Sequence, residues 1–212
     1  MKLKKIVSLA AAALMAVSML AACGDGAGSS SSEVVPPVAT TGIADALNDA
    51  RNDYAKNIMK LSYEESSSLT NILKTAAQDV YGKEVTFIKN HSGYDNAEVI
   101  SSGESIYTKV GNQLAGGATD AWIKSVTVKG TTKNLLIYTV GGDYAMPAVG
   151  NQVANVADWG TNDMTDDMPL TGTDLKANYT AEAAAVKVTS PDDAATSMWV
   201  VAVVYTQTVV AA

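Results

Sequence analysis

One histidine, one cysteine and one phenylalanine in 212 residues leave little from which the commonest catalytic and metal centres are built. A zinc site takes three or four His, Cys or carboxylate ligands. With His91 and Cys23 each single, the nitrogen and sulfur donors run out at once. No disulfide can close within the chain. Arginine is as scarce, Arg51 being the only one, and loss of Lys2, Lys4 and Lys5 with an N-terminal export segment leaves 12 basic against 22 acidic residues, a charge of -10. Such a surface repels phosphate backbones and offers a single guanidinium for bidentate contacts, which excludes nucleic acid as a partner. Also missing are a Gly-x-Ser-x-Gly elbow, a Gly-rich phosphate loop ending in Lys-Ser/Thr, and His-Glu-x-x-His. A Ser-His-acid triad through His91 stays formally open, but nothing marks one serine among many.

The N-terminus is richer. A Lys-rich start, an apolar run from Ile6 to Leu20 and the small residues Ala21 and Ala22 have the layout of a secretory signal, with a run too short for a comfortable membrane span. Leu20-Ala21-Ala22-Cys23-Gly24 resembles the lipobox of bacterial lipoproteins, which implies that residues 1–22 are cleaved and that Cys23 is acylated, palmitate being the expected kind of chain. The alternatives are an ordinary cleaved signal with an incidental thiol, or an uncleaved anchor helix. Residues 23–40 read as a tether, its Gly/Ser/Ala-rich part too polar to fold and Pro36-Pro37 stiffening its end. About 20 such residues span roughly 25 Å on average, enough to lift a domain off a lipid surface.

One domain is expected over residues 41–212, since 47% apolar residues suffice for a core and the length is short for two. Ile43, Leu47, Ala50, Tyr54, Ile58 and Leu61 form one helical stripe, with Thr41 as its N-cap and Asp45 in its first turn. Leu69, Ile72, Leu73, Ala76 and Val80 form a second, opened by Ser66-Ser67-Ser68 and stopped by Gly82. Val85 to Ile88 suits a short strand, and Asn90 to Asn96 has turn composition that puts His91 on a loop or at an element's edge. A third stripe, Ile106, Val110, Leu114, Ala118 and Trp122, is broken by Gly111 and Gly116-Gly117. Strands follow at Val126–Val128, Leu135–Val140, Val186–Thr189 and Met198–Thr206, the last apolar at nearly every position, as in a strand covered on both faces. Residues 150–179, polar and holding Asp158, Asp163, Asp166 and Asp167, read as a long surface excursion. The aspartates do not follow the spacing of a calcium loop and favour a solvated acidic face. The expected fold class is α+β, a three-layer α/β/α sandwich with a mainly antiparallel sheet, helices early and strands late.

The stretch from His91 to Ser125 carries the most unusual residues, and with its flanks it resembles the CAP superfamily, the SCP-like, cysteine-rich secretory, antigen 5 and pathogenesis-related domains. Leu47-Asn48-Asp49-Ala50-Arg51 looks like that family's first-helix motif, and Leu61-Ser62-Tyr63 like the approach to its second helix. Ser102-Gly103-Glu104-Ser105-Ile106 is similar to the Gly-Glu-Asn-Ile motif, with Ser105 in place of Asn. Ala121-Trp122-Ile123-Lys124-Ser125 is similar to a bacterial Ala-Trp-x-x-Ser form, Asn134-Leu135-Leu136 to Asn-Ile-Leu, and Met198-Trp199-Val200-Val201 to the closing strand. The resemblance spans roughly Ile43 to Thr206 and implies a cavity in which His91 is the first histidine and Glu104 an acidic partner. Two departures stand out: residues 126–133 contain no second histidine and are about three residues longer than the pattern, and 150–179 has no counterpart and reads as an insertion.

The resemblance implies a degenerate member, leaning away from an enzyme. The expected protein is extracytoplasmic and held to a bacterial membrane by lipid on Cys23. It binds a small apolar ligand, a wall component or a surface partner, with His91, Glu104 and Ser125 as ligand-binding candidates and no cofactor. A water-rich divalent cation at the cavity is the outlying case. The alternatives are an envelope hydrolase of peptides or glycans using His91 as base and Glu104 as acid or orienter, and a structural surface module.

Overall fold

A computed structural model describes residues 35–52, 56, 61–118, 129–161 and 174–212, with 158–161 as backbone only. The described residues belong to one compact unit, Ser32–Ala212. Their elements run β1 (Val38–Thr40), α1 (Ile43–Ala50), β2 (Tyr63–Glu65), α2 (Ser67–Tyr81), α3 (Thr86–His91), β3 (Glu98–Val99), α4 (Ser105–Gln113), β4 (Gly130–Gly141), α5 (Met146–Thr161), β5 (Leu175–Thr189) and β6 (Ser197–Ala211).

The strands form one six-stranded sheet in the order β1-β5-β6-β4-β3, with β2 also on β5. All pairings are antiparallel except β2 with β5, so the α+β class and the mainly antiparallel sheet expected from the sequence are present. β6 lies between β5 and β4, paired from Ser197 opposite Thr189 to Ala211 opposite Leu175. Val200 to Val204 are fully buried, because successive side chains enter opposite faces and each face is covered. Trp199, Val201, Val203 and Tyr205 join Ile43 and Leu47 of α1 and Val149, Val153 and Ala157 of α5 in one apolar cluster. Met198, Val200, Ala202 and Val204 join Leu69 and Leu73 of α2, Ile88 of α3 and Ile106 and Val110 of α4 in another.

The local signals behave unevenly. Ser66 caps α2 as its composition predicts, its hydroxyl accepting from the Leu69 amide at 3.3 Å, and Gly82 ends the helix with its amide on the Gln78 carbonyl. The first helix is shorter than its stripe. It begins after Gly42, at φ 94°, rather than Thr41, and the Gly42 amide donates to both carboxylate oxygens of Glu65, 3.1 and 3.0 Å away. It ends at Arg51, whose backbone turns extended. Asn48 then holds Tyr63 through two hydrogen bonds, and the Arg51 guanidinium donates to the Leu61 carbonyl. Asn48 and Arg51 therefore fasten β2 and the residues just before it to α1. Tyr54 and Ile58 lie outside the described residues.

Three expectations are corrected. Val85 to Ile88 is not a strand, since Thr86–His91 is helical and Ile88 is buried against β6 and α2; packing overrides the β-branched composition. Residues 150–161 are not part of a surface excursion but complete α5, and 175–179 begin β5. Helix α5 also falls between two long strands, so the helices are not all early. The remaining residues of that segment, 162–173, and the strand expected at 126–128 lie outside the described residues.

Helices α1 and α5 meet at a glycine. A Cβ on Gly150 would lie 2.5 Å from the Ala46 Cβ and 2.6 Å from its backbone carbon, closer than carbon atoms approach. Alanine there would gain about 1 kcal/mol in helix propensity and lose more by forcing two buried helices apart. Gly150→Ala is expected to destabilise the protein by about 1–3 kcal/mol in urea titrations; an unchanged or raised midpoint would show that the helices are not so closely seated.

Candidate functional site: the His91 stack and the cleft beside it

His91 and Glu104, the described candidates of the central stretch, both lie on the face covered by α2, α3 and α4. His91 closes α3, and its ring stacks on Phe87 one turn back, with centroids 3.9 Å apart and planes 16° from parallel. Phe87 stacks in turn with Tyr81 at 4.9 Å, and Tyr94 tilts against the imidazole at 4.8 Å. The spacing of four between Phe87 and His91 is the ordinary helical neighbour relation. The four rings make a continuous aromatic column from the end of α2 to the loop before β3.

Both imidazole nitrogens are engaged. Nδ1 lies 2.8 Å from the Phe87 carbonyl and Nε2 lies 3.2 Å from Glu98 Oε2, with the His91 side chain 13% exposed. A carbonyl only accepts, so Nδ1 carries a hydrogen, and Nε2 faces a carboxylate. The acid that meets His91 is therefore Glu98 of β3, which the sequence does not single out. Its signals are slight: a carboxylate seven residues on, among Ala97, Val99 and Ile100, in a strand of two residues. Through this contact α3 grips the short edge strand that Thr139 and Tyr138 pair on the other side.

Glu104 stands apart from His91. It is the N-cap residue of α4, exposed, with no capping hydrogen bond from its side chain. With Asp79, Tyr81, Glu84, Phe87 and Lys109 it lines a cleft of about 420 Å³ between the end of α2 and the start of α4. Phe87 thus has its stack with His91 on one side and belongs to the cleft that contains Glu104 on the other. Lys109 is tied to Asp79 at 3.1 Å. The Tyr81 ring is buried, and its hydroxyl is held in the protonated form, its pKa pushed up by burial first and then by the Glu104 and Glu84 carboxylates.

A second depression of about 370 Å³ lies over the loop Gly93 to Glu98. There the Tyr144 hydroxyl donates to Asp95 at 2.8 Å, and the Tyr144 carbonyl accepts from the indole of Trp199. Trp199 is a core residue, with the Lys187 ammonium 5.5 Å from its ring centre. Near the tip of the β5–β6 hairpin, Asp193 accepts from the Thr196 hydroxyl at 2.6 Å and the Ala195 amide, which hold its carboxyl below the usual range.

Phe87 thus stacks with His91 and shares the cleft lining with Glu104, while the polar partners of His91 are the Phe87 carbonyl and Glu98. Cys23, Trp122 and Ser125 lie outside the described residues. Among the described residues no three His, Cys, Asp or Glu side chains are gathered to hold a metal ion. His91 and Glu98 alone are too few ligands for zinc. Comparison with protein-family models, with curated proteins and with solved structures finds no match in any of the three.

The Tyr81 pKa predicts an alkaline instability. The unfolded phenol ionises near its ordinary value of 10.0 while the folded one resists, so this contribution is complete below that pH and is lost as pH rises above it. Urea unfolding between about pH 9 and about pH 11 should show stability falling by up to about 1.4 kcal/mol per pH unit from this group. Tyr81→Phe is expected to flatten that slope while leaving neutral stability within about 1 kcal/mol; an equally steep slope in the variant would contradict the assignment.

Proposed function

We propose that this chain is a lipid-anchored extracytoplasmic protein whose single domain, a degenerate CAP-like one, acts as a non-enzymatic binding module for a wall component or surface partner. The observation that carries the binding reading is the division of labour around Phe87. His91 is committed through both nitrogens to Phe87 and Glu98, whereas Glu104 lines a cleft with Tyr81 and Glu84. A general base must offer a free nitrogen to its substrate, and here the imidazole instead fastens an edge strand. Recognition by exposed carboxylates and an aromatic floor asks for no such freedom.

The anchor rests on Leu20-Ala21-Ala22-Cys23 and on the residues that follow it, a stretch with the composition of a spacer. Several acyl chains on one cysteine suffice for stable attachment without a spanning helix. The cleft face is built from α2, α3 and α4, elements rigidly seated on the sheet by Leu69, Leu73, Ile88 and Ile106, so a ligand would meet a preformed surface.

The test combines location and turnover. Wild-type protein is expected in the membrane fraction and to be retained by isolated cell wall, while Cys23→Ser should appear in the medium with wall retention unchanged. Membrane retention of Cys23→Ser would overturn the anchor. Hydrolysis of wall peptides or glycans that disappears in His91→Ala, at an unchanged melting temperature, would overturn the non-enzymatic reading.

A further inference from the structure

The outer edge of β4 runs unpaired past a cavity of its own. Antiparallel pairing turns the backbone groups of alternate residues to opposite edges of a strand. The Ile100 amide donates to the Ile137 carbonyl, so the odd-numbered residues of β4 face away from β6. β3 takes up this edge only at Tyr138 and Thr139. Among the described residues nothing pairs with the outward amides and carbonyls of Thr131 and Lys133. Beside them lies a cavity of about 430 Å³, walled by Thr131 to Lys133 on one side and by Ala115 to Ala118, the turn that follows α4, on the other. It shares no lining residue with the cleft of Glu104.

The charge here is the reverse of that in the other clefts. In a chain of net charge -7, those at Asp95 and Glu98, at Glu84 and Glu104, and at Asp45 and Asp49 all carry carboxylates, whereas the one ionisable group lining this cavity is Lys133. Its ammonium has no acidic partner among the described residues and donates to the Ala115 carbonyl on the facing wall, 2.9 Å away. That bond leaves two further hydrogens and the whole charge for another acceptor. The facing wall consists of two alanines and two glycines, which leave room for an added strand. We propose that the outer edge of β4 takes an extended peptide ending in a free carboxylate, its backbone pairing with Thr131 and Lys133 and its carboxylate accepting from the Lys133 ammonium. Strand addition supplies affinity through main-chain hydrogen bonds, and a carboxylate held by a cation fixes the register. A second copy of the chain is the poorer occupant, because Gly130 to Gly141 holds no acidic residue to meet Lys133.

The intact protein in detergent is titrated calorimetrically with N-acetyl-Ala-Val-Ala-Val-Ala bearing a free C-terminal carboxylate, with its C-terminal amide, and with two versions of the acid N-methylated at alternate residues. The acid is expected to bind about tenfold more tightly than the amide, the scale of one charge-assisted hydrogen bond. Only the methylated version whose methyl groups face the strand should lose binding. Lys133→Met should abolish the preference for the acid. Thr131→Pro should weaken the acid about tenfold at an unchanged unfolding midpoint, because it removes an amide that points away from β6. Glu104→Gln should bind the acid as the wild type does, which separates this edge from the other cleft. No binding of the acid, equal binding of acid and amide, full affinity of both methylated peptides or of Thr131→Pro, or loss of binding in Glu104→Gln would overturn the proposal. A peptide-free dimer in sedimentation that Thr131→Pro dissociates would also overturn it, since a second copy would then hold the edge.

Discussion

The structure depends on one strand that water cannot reach from either side. β6 is paired on both edges, by β5 and β4, and its side chains from Met198 to Tyr205 enter two separate apolar clusters in strict alternation. A slip of one residue would exchange every side chain between the clusters. Trp199 could then no longer give its indole hydrogen to the Tyr144 carbonyl, and Tyr205 would lose the Tyr63 hydroxyl 2.9 Å away. At roughly 1.5–3 kcal/mol for each fully buried aliphatic side chain, the run Val200 to Val204 outweighs any polar contact at the surface. Register in the sheet thus follows from hydrophobic burial, and the polar contacts report it.

The candidate site is built at the margin of this core. α2 and α4 are held by their apolar stripes, and the cleft lies where their ends meet, beyond the last buried residues. β3 has only two residues, with Val99 largely exposed, and a strand so short has little pairing of its own. It is kept in place by its ladder to Tyr138 and Thr139 and by Glu98 on His91. The glycines of the β4 exit contribute the close fit: a Cβ on Gly141 would lie 2.8 Å from the Ser92 carbonyl oxygen, and one on Gly142 would lie 2.2 Å from that of Ser197. Thus the loop after His91 sits against the end of β4 because residues without side chains stand there.

Where composition and burial agree, the sequence is easily read. Ser66 and Gly82 bound α2, and the unbroken run at 198–206 announces β6. Elsewhere one signal masks another. In α5 the buried apolar stripe is Val149, Val153, Ala154 and Ala157, and Gly150, Asn151 and Asn155 around it resemble a loop; a glycine required for close contact with Ala46 looks like a breaker until its partner is known. Val85, Thr86 and Ile88 favour a strand locally, and only the burial of Ile88 against distant β6 selects a helix. His91 and Glu104 are conspicuous by rarity and motif, yet the partner of His91 is Glu98. That pairing is made by a strand reaching back to a helix, a long-range fact with no periodicity.

The doubly covered β5–β6 ladder sets the stability of the whole domain, while α3 and β3 are fastened to its margin. Native-state hydrogen exchange measures this directly. Amides of Val200 to Val204 are expected to exchange only through global unfolding, and that of Ile100, bonded to the Ile137 carbonyl at the end of β3, through a local opening of lower free energy. Exchange in β6 as fast as at Ile100 would show that the ladder does not set the stability of the domain.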